Sequence, residues 1–299
     1  MRLSQLDGFI AVVEHGSIRA AARTLGISQP ALTKSLQLLE QDLGAELLRR
    51  SIAGAEPTDF GRAFLVRARS VQADLRRARE EIGQLQGERF GRISLGTSAA
   101  PALELVPQAV GRLRERYPGV FVRLLELLHP ASTQALRDGT IDLAIGPRAK
   151  AGADDDVKVV PLYRNHLVIA VRRGHPLAGA RSLRELAGAA WLRAGTPAGP
   201  ARVVDEAFAE AGLPAPEYGV QCESALALAG LAATSDLVAV LPHQILDRLG
   251  PQGALVRVAV REAIRPVEIA IFTLARTPPT PAVKELIAIL VQLARRARS

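Results

Sequence analysis

SIRAAARTLGISQPALTKSLQLLEQDLG, residues Ser17 to Gly44, reads as two short helices joined by a tight turn. Ser17 is placed to cap the first helix, and Ala20, Ala21, Ala22 and Leu25 make it compact enough to pack closely on a neighbour. Gly26 stops that helix, and Ile27 is expected as an apolar plug in the turn. Ser28 then caps a second helix that holds Pro30 in its first turn, where a missing N–H costs little. Leu32, Leu36, Leu39 and Leu43 recur at helical spacing, so one face is expected to be buried. The other face carries Ser28, Gln29, Thr33, Lys34 and Gln37. Side chains of this kind hydrogen-bond base edges or phosphates when a helix end enters a major groove.

The surroundings decide between a DNA-reading unit and a plain helical hairpin in an all-α core. Leu3, Leu6, Phe9, Ile10 and Val13 form an amphipathic helix in front, which completes a three-helix unit. Behind it, Glu46 to Pro57, with Leu47, Leu48, Arg49, Arg50 and Gly54, reads as a short β-wing.

These residues carry a family resemblance. Phe9, Gly16-Ser17, Ala21-Ala22, Leu25, Ser28-Gln29-Pro30-Ala31, Leu39-Glu40, Leu43-Gly44, Leu47, Arg50, Thr58 and Gly61 together resemble the N-terminal region of LysR-type transcriptional regulators. The match covers about the first 65 residues closely, and the rest agrees in length and layout. Ile18 and Leu48 stand where the family usually has phenylalanine, Thr33 where it has serine, and Pro57 where leucine is common. The wing, Ser51-Ile52-Ala53-Gly54-Ala55-Glu56, lacks the family's usual basic residue, which shifts phosphate contact toward Arg49 and Arg50. With Ser17, Ser28, Gln29, Pro30, Thr33, Lys34 and Gln37 they make up the expected DNA-binding set.

The chain is long enough for two or three domains, each with its own core. A single cysteine, Cys222, excludes an internal disulfide framework and a cysteine-rich zinc site; it is expected as a small buried hydrophobe, with a redox-sensing thiol as the alternative. No signal-peptide h-region and no run of 18 apolar residues is present, so a cytoplasmic protein is expected, neither secreted nor membrane-spanning. The net charge of +8 points to an anionic partner. Because the first 92 residues are close to balanced, the expectation of DNA binding rests on the motif and not on net charge. Arg295, Arg296 and Arg298 read as a solvated helix end, favourable to its dipole.

From Thr58, which can cap a helix with Asp59 in its first turn, Phe64, Ala68, Val71, Leu75, Ala78, Ile82 and Leu85 alternate at spacings of four and three. With charged flanks such as Arg76 to Glu81, this stripe predicts a coiled-coil dimerisation seam; an ordinary amphipathic surface helix is the alternative. A helix of ~30 residues would span ~45 Å. Gly83, Gly87 and Gly91 mark its weakening end and a hinge.

Strand-like and helix-like segments then alternate from Arg92 to the C-terminus, which predicts an open α/β architecture. Ligands in such sheets collect where strands end and helices begin. Gly96 to Ala100, His129 to Ser132, Gly146 to Arg148, Gly195 to Gly199 and Glu223-Ser224 are such places. Their hydroxyls and free N–H groups favour an anion, such as a carboxylate or sulfonate. The expected effector-binding set is Ser98, Ala99, His129, Pro130, Gly146, Arg148, Thr196 and Glu223, with Ser98 and Thr196 best placed. The resemblance implies two lobes of periplasmic-binding-protein type around a small-molecule cleft, with crossovers near Pro161 to Asn165 and Arg265 to Val267. It also implies a dimer of dimers on double-stranded operator DNA, with RNA polymerase as a further partner. The expected layout is a winged helix-turn-helix at 1–57, a linker helix at 58–90 and an effector domain at 91–299. Lobe I takes about 91–161 and 267–299, and lobe II about 162–266.

No catalytic motif competes with this reading. GxSxG, HExxH, a phosphate-binding glycine loop and a Cys-His constellation are all missing. His15, His129, His166, His175 and His243 are scattered, and Asp154-Asp155-Asp156 lacks the alternation of a calcium loop and reads as a solvated turn. No cofactor or metal is expected. A solute-binding protein would explain only the cleft, and a metabolic enzyme would leave the first 90 residues without a purpose.

Overall fold

The computed structural model describes residues 1–51, 54–148, 155–197, 199, 201–249 and 253–296. Ile52, Ala53, Asp154, Ala198 and Arg298, named above, lie outside the described residues, as does the side chain of Arg50. The chain forms two compact units, Met1–Ile82 with Arg137–Thr140, and Gly83–Leu136 with Ile141–Ser299.

The first unit opens with α1 (Leu3–His15), α2 (Ile18–Thr24) and α3 (Gln29–Leu43), followed by β1 (Leu48–Ser51), β2 (Gly54–Pro57) and α4 (Asp59–Leu85). Ser17 Oγ accepts the Ala20 N–H and Ser28 Oγ accepts the Ala31 N–H, so both expected caps form. Gly26 and Gly44 adopt the left-handed conformation past the ends of α2 and α3. Around each, two N–H groups fold back onto the last turn: Gly26 and Ile27 onto Arg23 and Ala22, Gly44 and Ala45 onto Gln41 and Glu40. Leu32, Leu36 and Leu39 are fully buried with Phe9 and Ile10. Leu43 is 41% exposed, because α3 runs one turn past the edge of that core. Ile27 is 45% exposed and plugs nothing; the left-handed Gly26 turns it outward, and Ala21 and Ala22 fill the space between the helices.

The wing is an antiparallel hairpin that pairs Leu48 with Pro57 and Arg49 with Glu56. One backbone link and one side-chain link hold it. The Ala55 N–H donates to Gly16 O at 2.8 Å, and Glu40 Oε1 accepts both the Leu47 and Leu48 N–H groups, at 2.8 and 3.1 Å. Thr58 caps α4 as expected: its Oγ1 accepts the Gly61 N–H and donates to Glu46 O. Phe64 stacks on Phe9 at 5.4 Å, and Ala68 is buried in the same core. These two residues of the expected seam therefore pack inside their own head. Val71, Leu75, Ala78, Ile82 and Leu85 are exposed.

The second unit continues with β3 (Phe90–Thr97), α5 (Ala99–Leu103), α6 (Leu105–Arg116), β4 (Gly119–Glu126), α7 (Ala131–Arg137), β5 (Leu143–Pro147), β6 (Val157–Asn165), β7 (Leu167–Arg172), β8 (Ala190–Ala194), α8 (Arg202–Glu210), β9 (Glu217–Cys222), α9 (Ala225–Thr234), β10 (Ala239–Pro242), α10 (His243–Leu249), β11 (Leu255–Val258), β12 (Val267–Leu274) and α11 (Pro281–Arg296). Lobe I is a five-stranded sheet in the order β4-β3-β5-β12-β6, parallel from β4 to β5 and antiparallel at β12 and β6. Lobe II joins β10-β7-β11 to β8-β9 through a bridge between Trp191 and Val238. Trp191, fully buried, meets Phe208 edge-on.

β6 and β12 are the two crossings between lobes, and they pair with each other from Asn165 opposite Val267 to Val157 opposite Leu274. The lobe boundary expected at 161/162 falls inside β6, which stays in the lobe I sheet to Asn165. Gly83, expected in a hinge, lies within α4. The chain is tied down immediately after it: Gln84 donates to Phe90 O and accepts the Ala282 N–H.

Candidate DNA interface and inter-lobe cleft

The solvent side of α3 is where the sequence placed it. Ser28, Gln29, Pro30, Lys34 and Gln37 are exposed and Thr33 is half-buried. Gln29, Thr33 and Gln37 follow at intervals of four, so they form one stripe along the helix. Ser17 and Ser28 spend an acceptor lone pair on their caps, but each hydroxyl keeps a hydrogen for an outside acceptor. Arg49 is exposed on β1 opposite Glu56, and that acidic neighbour offsets part of its charge. Sequence reading gave no role to Glu40, whose carboxylate fixes the angle at which the wing leaves α3.

In the second unit a mainly apolar cavity of about 60 Å³ lies between the lobes. Of the effector-binding set proposed from the sequence, Ser98, Ala99 and Glu223 line it. Ser98 follows β3 at the start of α5; its N–H donates to Ile145 O, and its Oγ makes no capping bond. The remaining expected residues do not line the cavity. Alternation along β5 turns Pro147 to it and sends Arg148 to the other side, where Arg148 pairs with Glu268 at 3.0 Å. Gly146 backs onto Ser98, and a Cβ there would stand 3.4 Å from the serine Oγ. His129, Pro130 and Thr196 lie on loops that meet near Gly199, beside the cavity. Thr196 Oγ1 is buried there without a hydrogen-bond partner among the described residues.

The cavity recruits residues that no loop motif announced. Asn165 comes from the end of β6, Glu126 from the end of β4, and Cys222 from the end of β9. Cys222 is partly buried, with its Sγ 3.3 Å from Ser224 O. Among the described residues no cluster of three metal-ligating side chains occurs, and no helix is long and apolar enough to cross a membrane.

Residues 86–295 match the model of the LysR substrate binding domain, and residues 3–62 match that of bacterial regulatory helix-turn-helix proteins of the lysR family. The chain belongs to the LysR family. It is a LysR-type DNA-binding transcriptional regulator with an effector-binding domain. This LysR regulator is 36% identical to the SDS degradation transcriptional activation protein of Pseudomonas sp. (strain ATCC 19151), across 82% of this chain and 80% of that protein. It is 27% identical to the HTH-type transcriptional regulator GbpR of Azospirillum brasilense, across 97% of this chain and 86% of GbpR. The crystal structure of CbnR, a LysR family transcriptional regulator, superposes with a TM-score of 0.74 at 23% identity, over 98% of this chain and 99% of CbnR. Full-length CbnR complexed with its target DNA gives 0.71 at 22% identity, over 98% and 100% of the two chains.

Proposed function

We propose that this regulator holds two α3 helices in successive major grooves of an interrupted palindrome, and that a small anion in the inter-lobe cleft alters how the DNA is held. The observation that carries the effector reading is the cavity, apolar on most of its walls, with the buried Ser98 and Asn165 among its polar residues and the exposed Glu126 and Glu223 beside them. A small site of this kind suits a short carboxylate or sulfonate with an apolar body. The Pseudomonas relative is named for SDS degradation, which brings alkyl sulfates into the same class. CbnR is known as a complex with target DNA, and that supports duplex DNA as the partner of Gln29, Thr33, Lys34 and Gln37. Working boundaries of 1–57, 58–90 and 91–299 go with this reading, as do a dimer of dimers joined partly through the α4 stripe, a cytoplasmic location and RNA polymerase as a downstream partner.

The test joins a thermal-shift screen of small acids to footprinting on the promoter DNA that the protein selects. An effector at 100 times its Kd stabilises by ~2.7 kcal/mol, and the same compound is expected to change the length of the footprint. Ser98→Ala is expected to remove that change. A set of acids that neither stabilises the protein nor moves the footprint would refute the effector class.

A further inference from the structure

Asn165 is the only asparagine in the 299 residues. It stands at the point where β6 leaves lobe I, it is 2% exposed, and it lines the inter-lobe cavity. Its Oδ1 accepts from Gln244 Nε2 at 2.6 Å, while its Nδ2 is buried with no hydrogen-bond partner among the described residues. Gln244, on α10 of lobe II, is 3% exposed; its Nε2 also reaches Glu104 Oε2 of lobe I at 3.4 Å, and its Oε1, like Asn165 Nδ2, is buried without a partner among the described residues. A buried N–H without an acceptor is costly to keep, so its presence beside a cavity calls for an occupant that satisfies it.

We infer that Asn165 Nδ2 is the hydrogen-bond donor that the cleft presents to the anionic group of its effector, and that Glu104 and Gln244 are positioning residues that keep this donor facing the ligand. The inference deepens the effector reading above and rests on it. The two amides have alternative orientations in principle, and the charge of Glu104 chooses between them. A carboxylate attracts the NH₂ end of Gln244 and repels its carbonyl end, so Nε2 is held toward Glu104. With Nε2 fixed, Asn165 must turn Oδ1 to it. Nδ2 is the end of Asn165 left without an acceptor among the described residues, and of these three side chains Asn165 alone also lines the inter-lobe cavity. Tyr163 reports the same charge: its hydroxyl holds its proton well above the usual tyrosine range, first through burial and then through the negative Glu104. Because Gln244 belongs to lobe II while Glu104 and Asn165 belong to lobe I, the donor is aimed only when the lobes meet at this crossing.

The test exchanges the charge without touching the cavity wall. In the double variant E104Q/Q244E the carboxylate moves next to Asn165 and draws Nδ2 toward itself, which leaves Oδ1 facing the ligand. Calorimetric titrations of the full-length protein use butyrate and benzoate, with butanamide and benzamide as neutral isosteres. Wild type is expected to prefer the acids. The exchange is expected to weaken the acids roughly tenfold to a hundredfold, the range for a hydrogen bond to a charged group, and to reverse the preference toward the amides. Asn165→Asp keeps the acceptor for Gln244, loses the donor, and should weaken the acids at least as much. Circular dichroism checks that each variant is folded. Wild type alone gives a further reading: residue-selective ¹⁵N-asparagine labelling yields a single side-chain amide, which should shift with butyrate and not with butanamide. If an acid stabilises the protein and changes its footprint while that signal stays still, or while the folded variants bind it as wild type does, the effector reading survives and the role of Asn165 is overturned. If no acid in the panel binds, both fail.

Discussion

Glu126, the last residue of β4 in lobe I, accepts the backbone N–H of Ala225, the first residue of α9 in lobe II, through its Oε1 at 3.0 Å. The protein thus places its own carboxylate at a helix N-terminus on the edge of the cavity, where an anion is favoured. Glu126 and Glu223 both line the cavity and are both exposed, while Ser98 and Asn165 are buried. An anionic group bound at the buried end would feel repulsion from the two glutamates. Glu126→Gln is expected to tighten butyrate about two- to fivefold, from the ~0.3–1 kcal/mol typical of a charge at a helix end. The gain should shrink as salt rises, since the group is exposed. Titrations at low and high ionic strength check this, and equal affinities for wild type and variant would contradict it.

Gly61 sits in the first turn of α4, and a Cβ there would stand 2.0 Å from Leu47 O, a backbone atom. Only glycine lets α4 start so close to the strand that enters the wing. Gly61→Ala is expected to destabilise the head by ~1–3 kcal/mol, the usual cost of overpacking, and to loosen the wing with it. Chemical denaturation followed by DNA-binding titration reads both effects. Unchanged stability would mean that the Thr58–Gly61 turn yields easily.

What the sequence made legible depended on how local the determining interactions are. The caps at Ser17, Ser28 and Thr58 and the glycine stops at Gly26 and Gly44 are set by neighbours within a few residues, and each was readable. Periodicity identified the buried face of α3, but it could not say where the core ends, hence the exposed Leu43. The strand β6 is poorly marked in the sequence because Pro161 interrupts its pattern; the register with β12 shifts at that point, between Ile269 and Ala270. β8, a five-residue strand, carries too little alternation to stand out. The cavity was the least legible part: Asn165, Glu126 and Cys222 come from the ends of separate strands, and only the folded arrangement of the two lobes brings them to one cavity.

For DNA reading, Gln29→Ala and Thr33→Ala should each cost ~1–3 kcal/mol at particular base pairs and relax selectivity there. Lys34→Ala should instead weaken all sequences evenly and reduce the salt dependence, as loss of a phosphate contact does. Half-sites should lie ~10 bp or a multiple apart, since two-fold dimers space their recognition helices by about a turn of ~34 Å. Binding titrations on an operator and its single-base variants test this. Uniform losses for all three substitutions would show that α3 reads no base.

The two ends of the α4 stripe should respond to charge in opposite ways. Ala68 belongs to the head core with Phe9 and Phe64, whereas Ile82 and Leu85 are 60% and 74% exposed on one chain. A glutamate at Ala68 would bury an unpaired carboxylate inside the head, and Ala68→Glu is expected to unfold it. A glutamate at Ile82 costs a single chain little. In a dimer whose helices meet along Val71, Leu75, Ile82 and Leu85 it removes two buried side chains, each contributing ~1.5–3 kcal/mol, and sets two carboxylates near each other. Ile82→Glu is therefore expected to raise the dissociation constant of the dimer at least ~100-fold while the head stays folded, and Ile82→Leu should change it little. Sedimentation equilibrium measures the assembly, and circular dichroism of the same samples measures the fold. An Ile82→Glu protein that sediments as wild type does would make the lower stripe ordinary helix surface and move the dimer contact elsewhere.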